Sequence, residues 1–155
     1  MLTTISNYTL DDIRKSINYL LDKAKQEQRV RQLAVSIISD KPDPIASIYD
    51  WIKTNVRYTK DPVDVELFIS PAKMVNDYYQ ENPLAGDCDD QALLAVALYR
   101  SIGIESNVVI FDTKGEGYDH AVAQVFSDKL GWVTVDASSD YPLGWTIKYR
   151  SKVVV

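Results

Sequence analysis

Apolar residues recur at helical spacing through the first third of the chain. These positions are Ile13, Ile17, Leu20, Leu21, Ala24, Val30, Leu33, Ile37 and Ile38. Intervals of three and four residues place them on one face of a helix, and Asp11 or Asp12 is positioned to cap its start. The highly charged stretch 23–31 interrupts this face. The pattern therefore fits either one long helix or two.

Two further helices are predicted where a capping side chain is followed by proline. Asp43-Pro44 precedes an apolar stripe that runs to Val56, and Ser70-Pro71 precedes a short segment that ends near Tyr79. The cap oxygen accepts bonds from free amides, and proline in the first turn loses no hydrogen bond. Trp51 falls on the first stripe and is interpreted as a core residue. Residues 59–69 lack a regular pattern and are predicted to form a loop.

The strongest helical signal covers Cys88 to Ile102, after a turn predicted at residues 82–86. Its apolar residues lie on several sides, which indicates a central, buried helix. Asp87 is expected to cap its start, and Gly103 to end it in a left-handed conformation.

The last third of the chain reads as strands. The predicted strands are 108–111, 120–126 and 132–136, with another at 146–149 and either an edge strand or a frayed tail at 153–155. Helices followed by a meander of strands predict an α+β domain, with N-terminal helices packed on an antiparallel β-sheet. The length of 155 residues fits a single domain over 1–155, divided into an N-terminal helical extension (1–40) and a catalytic core (43–150).

Charge and composition narrow the classes of partner. The net charge is −5, and no run of Lys or Arg suggests a surface for nucleic acid or for anionic membranes. No apolar run approaches the roughly 20 residues that span a bilayer, and the N-terminus does not resemble a signal peptide. A single cysteine excludes an internal disulfide and suits a reducing compartment. We therefore expect a cytoplasmic protein, with packaging in a virus particle left open.

Candidate chemistry centres on the only cysteine and the only histidine of the chain. Cys88 lies in the first turn of the buried helix, where free amides and the helix dipole favour a thiolate. Three neighbouring acids, Asp87, Asp89 and Asp90, oppose this effect, and a cationic partner is needed to overcome it. His120 is the only candidate for that partner.

Strand periodicity adds a third residue to this pair. His120 begins one predicted strand and Asp136 ends the next. If the two strands form a hairpin about 4.8 Å apart, the carboxylate can reach a ring nitrogen and orient the imidazole. A helix N-terminus against this face would bring the sulfur of Cys88 to the other nitrogen. Taken singly, each residue has a plain structural alternative: packing for Cys88, a satisfied core residue for His120 and a turn for Asp136.

The same residues carry a resemblance to a known family. The segments concerned are Gly86–Ile104, Asp119–Val125 and Gly131–Ala137, preceded by Ile48–Ile52, Val56–Tyr58 and Ser70-Pro71. They resemble the nucleophile helix, the histidine strand, the aspartate strand and the lead-in of the transglutaminase-like superfamily. The resemblance covers 43–145 and is most similar to compact members from bacteriophages, prophages and archaeal viruses.

This resemblance implies a papain-like fold, with Cys88 as nucleophile, His120 as general base and acid, and Asp136 as the orienting carboxylate. One oxyanion donor would be the Cys88 amide, and Asn82 is a candidate for the second, with a turn residue as its alternative role. Two features depart from the family pattern. Asp119 precedes His120, and Ala121-Val122 replaces the aromatic residue that often follows the histidine.

We therefore expect a thiol-dependent acyl-transfer enzyme that acts on amide bonds of a protein or peptide substrate, with no cofactor and no metal. Hydrolysis is favoured over transamidation because water is always present. The first alternative is a catalytically weak or inactive structural or binding protein, such as a virion or assembly component. The second is a helical adaptor whose first forty residues dock on a partner, which a projecting N-terminal helix would favour.

Overall fold

A computed structural model describes residues 2–5, 9–60 and 66–155. The elements in chain order are β1 (Leu2–Ile5), α1 (Leu10–Lys25), α2 (Gln28–Ile38), α3 (Pro44–Asn55), β2 (Val56–Tyr58), β3 (Glu66–Ile69), α4 (Pro71–Tyr79), β4 (Leu84–Gly86), α5 (Cys88–Ser101), β5 (Ser106–Asp112), β6 (His120–Ser127), β7 (Gly131–Val135) and β8 (Ser151–Val154).

The main sheet has four antiparallel strands in the order β7-β6-β5-β8. Two small strand pairs lie outside it: β1 pairs with β3 in antiparallel orientation, and β2 pairs with β4 in parallel. Helices of the first two thirds of the chain and the inner face of the sheet share one apolar core. The predicted α+β class, with helices packed on an antiparallel sheet, is confirmed.

Helix α5 is the centre of that core. Ten of its fourteen residues are buried, which explains why its apolar residues lie on several sides. Its neighbours include α1, α2, α3 and α4 among the helices and β5 and β6 in the main sheet. Asp87 caps its start and Gly103 has φ of +81°, so both predicted ends are confirmed.

The N-terminal third contains two helices, which decides between the two expected arrangements. The prediction that Asp11 or Asp12 caps the first helix is wrong. Thr9 is the cap, and Asp12 occupies the third helical position, where its carboxylate accepts from the Thr9 backbone amide at 2.9 Å. Glu27 starts α2 by accepting from the Arg29 amide. Both helices bury their apolar faces in the common core, so they do not project.

Two predicted irregular segments contain short strands. Residues 66–69 of the predicted loop form β3, while 61–65 lie outside the described residues. The predicted turn at 82–86 is wrong at its second half, because Leu84–Gly86 pairs with Val56–Tyr58. Strands of three or four residues contain too few side chains to show a clear alternation, which explains both misses.

The strand predicted at 146–149 is also wrong. This segment crosses the outer face of the sheet, where the Tyr149 ring stacks on Phe111 at 4.7 Å between centroids. Ile147 packs on the same small cluster, which contains Val109, Phe111 and Val122. Ile147 and Tyr149 face the sheet, so the segment has the alternation of apolar residues that is typical of a strand although it pairs with no strand of the described residues. The following strand, β8, is the predicted edge strand and pairs with β5.

Candidate active site

Cys88 is the first residue of α5, and acidic side chains hold the turn that presents it. The Asp87 carboxylate accepts from the amides of Asp89 (3.1 Å) and Asp90 (3.2 Å), and Asp90 accepts from the Asp87 amide at 3.0 Å. The other oxygen of Asp90 accepts from the Ile69 amide at 2.7 Å, which ties β3 to the helix. Capping and anchoring therefore account for Asp87 and Asp90.

Position 86 requires glycine because the side chain of Asp90 packs against its backbone. A β-carbon at this position would lie 2.7 Å from Cβ of Asp90, closer than real contacts allow. The Gly86 carbonyl accepts from the Thr59 amide at 2.9 Å and from Gln91 Nε2 at 3.3 Å. These bonds fix the backbone two residues before the thiol.

His120 and Asp136 form a hydrogen-bonded pair at one end of the β6–β7 hairpin. His120 is the first residue of β6, and Asp136 directly follows β7. The distance from His120 Nε2 to Asp136 Oδ2 is 2.7 Å, and the two side chains are only 19% and 6% exposed. Because Nε2 is engaged with the carboxylate, Nδ1 is the ring nitrogen left for another partner.

Ser138 completes the surroundings of Asp136, and the sequence analysis did not identify it. Its backbone amide and its hydroxyl donate to Asp136 Oδ1, at 3.2 and 2.7 Å. Both carboxylate oxygens therefore have partners in a buried setting. An aspartate followed two residues later by a serine is a common turn pattern, so the sequence does indicate a turn at Asp136. That pattern does not indicate that Ser138 would hold the Asp136 carboxylate.

The pair shifts the pKa of both groups. Burial alone would lower the pKa of His120, but the hydrogen bond and charge of Asp136, with Asp119 and Asp89 more distant, raise it above the ordinary value. Burial likewise opposes ionisation of Asp136, yet hydrogen bonds from His120 and Ser138 hold its pKa below the usual range. The structure thus favours an ion pair between imidazolium and carboxylate.

The environment of Cys88 keeps its thiol protonated. Burial is the main cause that raises its pKa well above the ordinary value, and the charge of Asp89 adds to it. A hydrogen bond from the Ala121 backbone amide to the sulfur offsets part of this effect. The expectation that the helix terminus would favour a thiolate therefore does not hold for the resting site, because desolvation and the acids outweigh it.

The structure brings Cys88 close to the histidine strand and to Asp136. Cys88, Ala121, Asp136 and Ser138 line one narrow pocket, which is too small for a water molecule. The thiol of Cys88 donates to Asp89 Oδ1 at 4.0 Å. Within the described parts of the chain, no hydrogen bond joins the sulfur to His120. The catalytic roles of the three residues therefore stay predictions.

Asn82 lies elsewhere. Its side chain is exposed, and Nδ2 donates to Gln80 Oε1 at 3.4 Å. It lines a separate hollow with Tyr78 and Tyr79 and does not line the pocket beside Cys88. This geometry gives no support to Asn82 as an oxyanion donor. Among the residues that the structure describes, no group of three or more His, Cys, Asp or Glu side chains could hold a metal ion.

Helix α3 anchors the loop that follows Asp136, another feature not found from the sequence. Lys53 Nζ donates to the Ser139 carbonyl at 2.5 Å, and the Tyr49 hydroxyl donates to the Tyr141 carbonyl at 2.7 Å. Residues 137–141 are thereby held from a different part of the chain. These bonds stabilise the position of Asp136 at the start of the loop.

Comparison with known families is consistent with this geometry. The profile of the transglutaminase-like superfamily matches residues 27–137, which include Cys88, His120 and Asp136. The chain belongs to the transglutaminase-like superfamily. The match begins at Glu27, the cap of α2, whereas the resemblance noted from the sequence begins at residue 43. A closer likeness of this superfamily member to phage or archaeal-virus proteins is not shown.

Solved structures share the fold of this superfamily member at low sequence identity. A protein of Cytophaga hutchinsonii, provisionally assigned as a cysteine protease, has a TM-score of 0.54 and 22% identity over 88% of this chain and 49% of its own. A provisionally assigned protease of Parabacteroides distasonis has a TM-score of 0.54 and 15% identity, over 76% and 25%. The periplasmic domain of TgpA from Pseudomonas aeruginosa, bound to ethylmercury, has a TM-score of 0.50 and 21% identity, over 71% and 43%.

The chain therefore spans half or less of the length of these three solved relatives. No curated protein sequence matches it significantly. None of the helices in the described ranges is long and apolar enough to cross a membrane.

Proposed function

We propose that the protein is a thiol-dependent acyl-transfer enzyme that acts on amide bonds, with Cys88 as nucleophile, His120 as general base and acid, and Asp136 as the residue that orients His120. The observation that carries this proposal is the 2.7 Å bond between His120 Nε2 and Asp136 Oδ2, beside the helix terminus that presents the only cysteine. Structural cysteines have no need of a buried, oriented imidazole.

The first step follows from the pKa values of the site. Because the resting thiol is protonated, attack requires removal of its proton, and Nδ1 of neutral His120 accepts it. The sulfur then bonds to the carbonyl carbon, and the carbonyl oxygen takes the negative charge. The backbone amide of Cys88, which has no partner within its helix because it lies in the first turn, is one donor for that oxygen.

The remaining steps restore the enzyme. Imidazolium gives its proton to the departing amine, the carbon–nitrogen bond breaks, and a thioester on Cys88 remains. Neutral His120 then takes a proton from water, whose oxygen attacks the thioester. The carbon–sulfur bond breaks, the acid leaves, and the proton returns to the thiol. A primary amine in place of water gives transamidation. We favour hydrolysis because water needs no binding site of its own.

The alkylation of Cys88 by iodoacetamide, measured against pH, tests this proposal. Because the chain has one cysteine, every adduct reports Cys88. We expect the folded protein to react at neutral pH, and His120→Ala to slow the reaction by roughly 10²-fold, the lower range for loss of a general base. Gln124→Ala, half-buried on the same strand, is the matched control and should leave the rate unchanged.

The urea-unfolded protein supplies the reference, since its thiol should titrate near pH ~8.5. A folded protein that reacts more slowly than the unfolded chain at every pH, with no effect of His120→Ala, would show that Cys88 and His120 do not work together. The proposed enzyme would then be excluded.

One observation favours a second candidate, a binding or structural protein without catalysis. The raised pKa of Cys88 and the charge of Asp89 near its sulfur disfavour the reactive thiolate. Such a protein would give the negative result of the alkylation experiment. For either function we propose the cytoplasm as the location, or the virion if the chain is viral. The periplasmic domain among its structural relatives is a property of that relative.

A further inference from the structure

A surface hollow of about 670 Å³ lies beside the start of β4 and has no part in the chemistry described above. Its lining includes Asn55, Tyr78, Tyr79, Glu81, Asn82 and Leu84. The hollow contains Asn82, for which the sequence analysis leaves the roles of oxyanion donor and turn residue open. The aromatic, charged and amide side chains of this hollow suggest that it binds a ligand.

Aromatic rings form one wall of the hollow. Tyr78 and Tyr79 are 36% and 40% exposed, and their rings meet at 73° with centroids 5.6 Å apart. Trp51 packs against Tyr78 in an edge-to-face arrangement. The guanidinium carbon of Arg29 lies 5.6 Å from the centre of the Tyr79 ring, so this ring already contacts one cation. Because both tyrosines are partly exposed, their rings can attract a further cation to the negative face of the ring.

The polar groups of the hollow also favour the binding of a cation. Glu81 is the only charged residue of the lining. Its turn is fixed by bonds from the Glu81 amide to the Tyr78 carbonyl (3.0 Å) and from the Asn82 amide to the Asp77 carbonyl (2.9 Å). Asn55 uses its amide nitrogen to donate to the Trp51 carbonyl, which leaves its amide oxygen as an acceptor. A carboxylate, an amide oxygen and tyrosine faces together match an ammonium or guanidinium group.

The hollow is connected to the candidate active site by two parallel strands. Asn55 directly precedes β2, and Leu84 begins β4, with Val56 beside Leu84 and Tyr58 beside Gly86. Both strands run from the hollow towards Cys88. Leu84, which lines the hollow, is four positions before Cys88, so the Cα atoms of these two residues lie within about 14 Å of each other, the reach of four extended residues.

We propose that this hollow is a subsite for a lysine or arginine side chain of the substrate peptide, about four residues from the amide bond held at Cys88. The proposal rests on the function proposed above and adds the class of substrate: a basic peptide segment. The acidic net charge of the chain, −5, favours the approach of such a segment.

A titration of the full ¹⁵N-labelled chain tests the subsite without any need for catalysis. The ligand is N-acetyl-lysine methylamide, with N-acetyl-norleucine methylamide as the uncharged match. We expect the lysine compound to shift the amide signals of Tyr78, Tyr79 and Glu81 in a saturable manner, and the norleucine compound to leave them unchanged. Glu81→Gln should weaken binding about fivefold, the effect of one exposed charge pair of roughly 1 kcal/mol. Glu105→Gln, an exposed acid outside the lining of the hollow, is the matched control.

Cleavage of an octapeptide library, with lysine or norleucine placed at each position in turn, distinguishes failure of the subsite proposal from failure of the proposed hydrolase function. Lysine-dependent shifts with no cleavage of any peptide would uphold the subsite and exclude the hydrolase. Cleavage without preference for lysine, together with equal shifts for both ligands or none, would overturn the subsite and leave the hydrolase in place.

Discussion

At the scale of single residues, the charge of Asp136 sets the state of His120. Only neutral imidazole can take the thiol proton, so alkylation of Cys88 should rise with pH as it passes upward through the raised pKa of His120. Asp136→Asn removes the negative charge while burial, which lowers that pKa, remains. We therefore expect the rising limb of the profile to move to lower pH, and the maximal rate to fall about 10²-fold as the imidazole loses its orientation.

Asp128→Asn is the matched control for this substitution, since Asp128 is an exposed acid on the hairpin that joins β6 to β7. Its profile should overlay that of the unchanged protein. A profile of Asp136→Asn that keeps the original midpoint would mean that the carboxylate does not set the protonation of His120. Circular dichroism of both variants checks that the fold is retained.

At the scale of elements, α3 supports the loop that begins at Asp136. Tyr49→Phe deletes the bond from its hydroxyl to the Tyr141 carbonyl and leaves the ring in place. A neutral hydrogen bond contributes about 1 kcal/mol, so the Cys88 alkylation rate at neutral pH should fall by up to about fivefold. The midpoint of the pH profile should stay fixed, because Asp136 keeps its charge.

Tyr19→Phe serves as the comparison for Tyr49→Phe, since Tyr19 is 49% exposed on α1. A shifted pH midpoint in Tyr49→Phe would contradict a purely positional role for α3. An unchanged rate would mean that Lys53, which holds the Ser139 carbonyl, is sufficient to keep the loop in place.

At the scale of elements, the sequence predicts the structures that depend on local contacts and misses those that depend on distant parts of the chain. Caps such as Asp43, Ser70 and Asp87 act within three residues of themselves, so local sequence identified α3, α4 and α5 at their starts. The strands β2 and β4 depend on each other across 28 positions, and each is only three residues long. Long-range bonds of this kind, like that from Tyr49 to Tyr141, have no local pattern. Residue type, strand spacing and family resemblance predict Cys88, His120 and Asp136 as site residues, whereas the bonds from Ser138 to Asp136 are visible only in the structure.

At the scale of the whole molecule, α1 and α2 belong to the core that carries the site. Residues of both helices are buried in one apolar cluster with α5 and the inner face of the sheet. The predicted extension (1–40) and the predicted catalytic core (43–150) therefore contribute side chains to the same apolar core. If the core is continuous, loss of packing in α1 must weaken the whole domain.

Leu20→Ala measures this continuity, because Leu20 on α1 is 1% exposed. Removal of its buried methyl groups leaves a cavity, and the free energy of unfolding should fall by about 2–5 kcal/mol. Val35→Ala on α2, where the side chain is 43% exposed, should change it by no more than about 0.5 kcal/mol. Urea unfolding followed by circular dichroism and by Cys88 alkylation should show coincident transitions in all three proteins. Two separate transitions in Leu20→Ala, with the thiol protected after α1 has unfolded, would instead make the N-terminal helices an independent unit docked on a self-sufficient catalytic core.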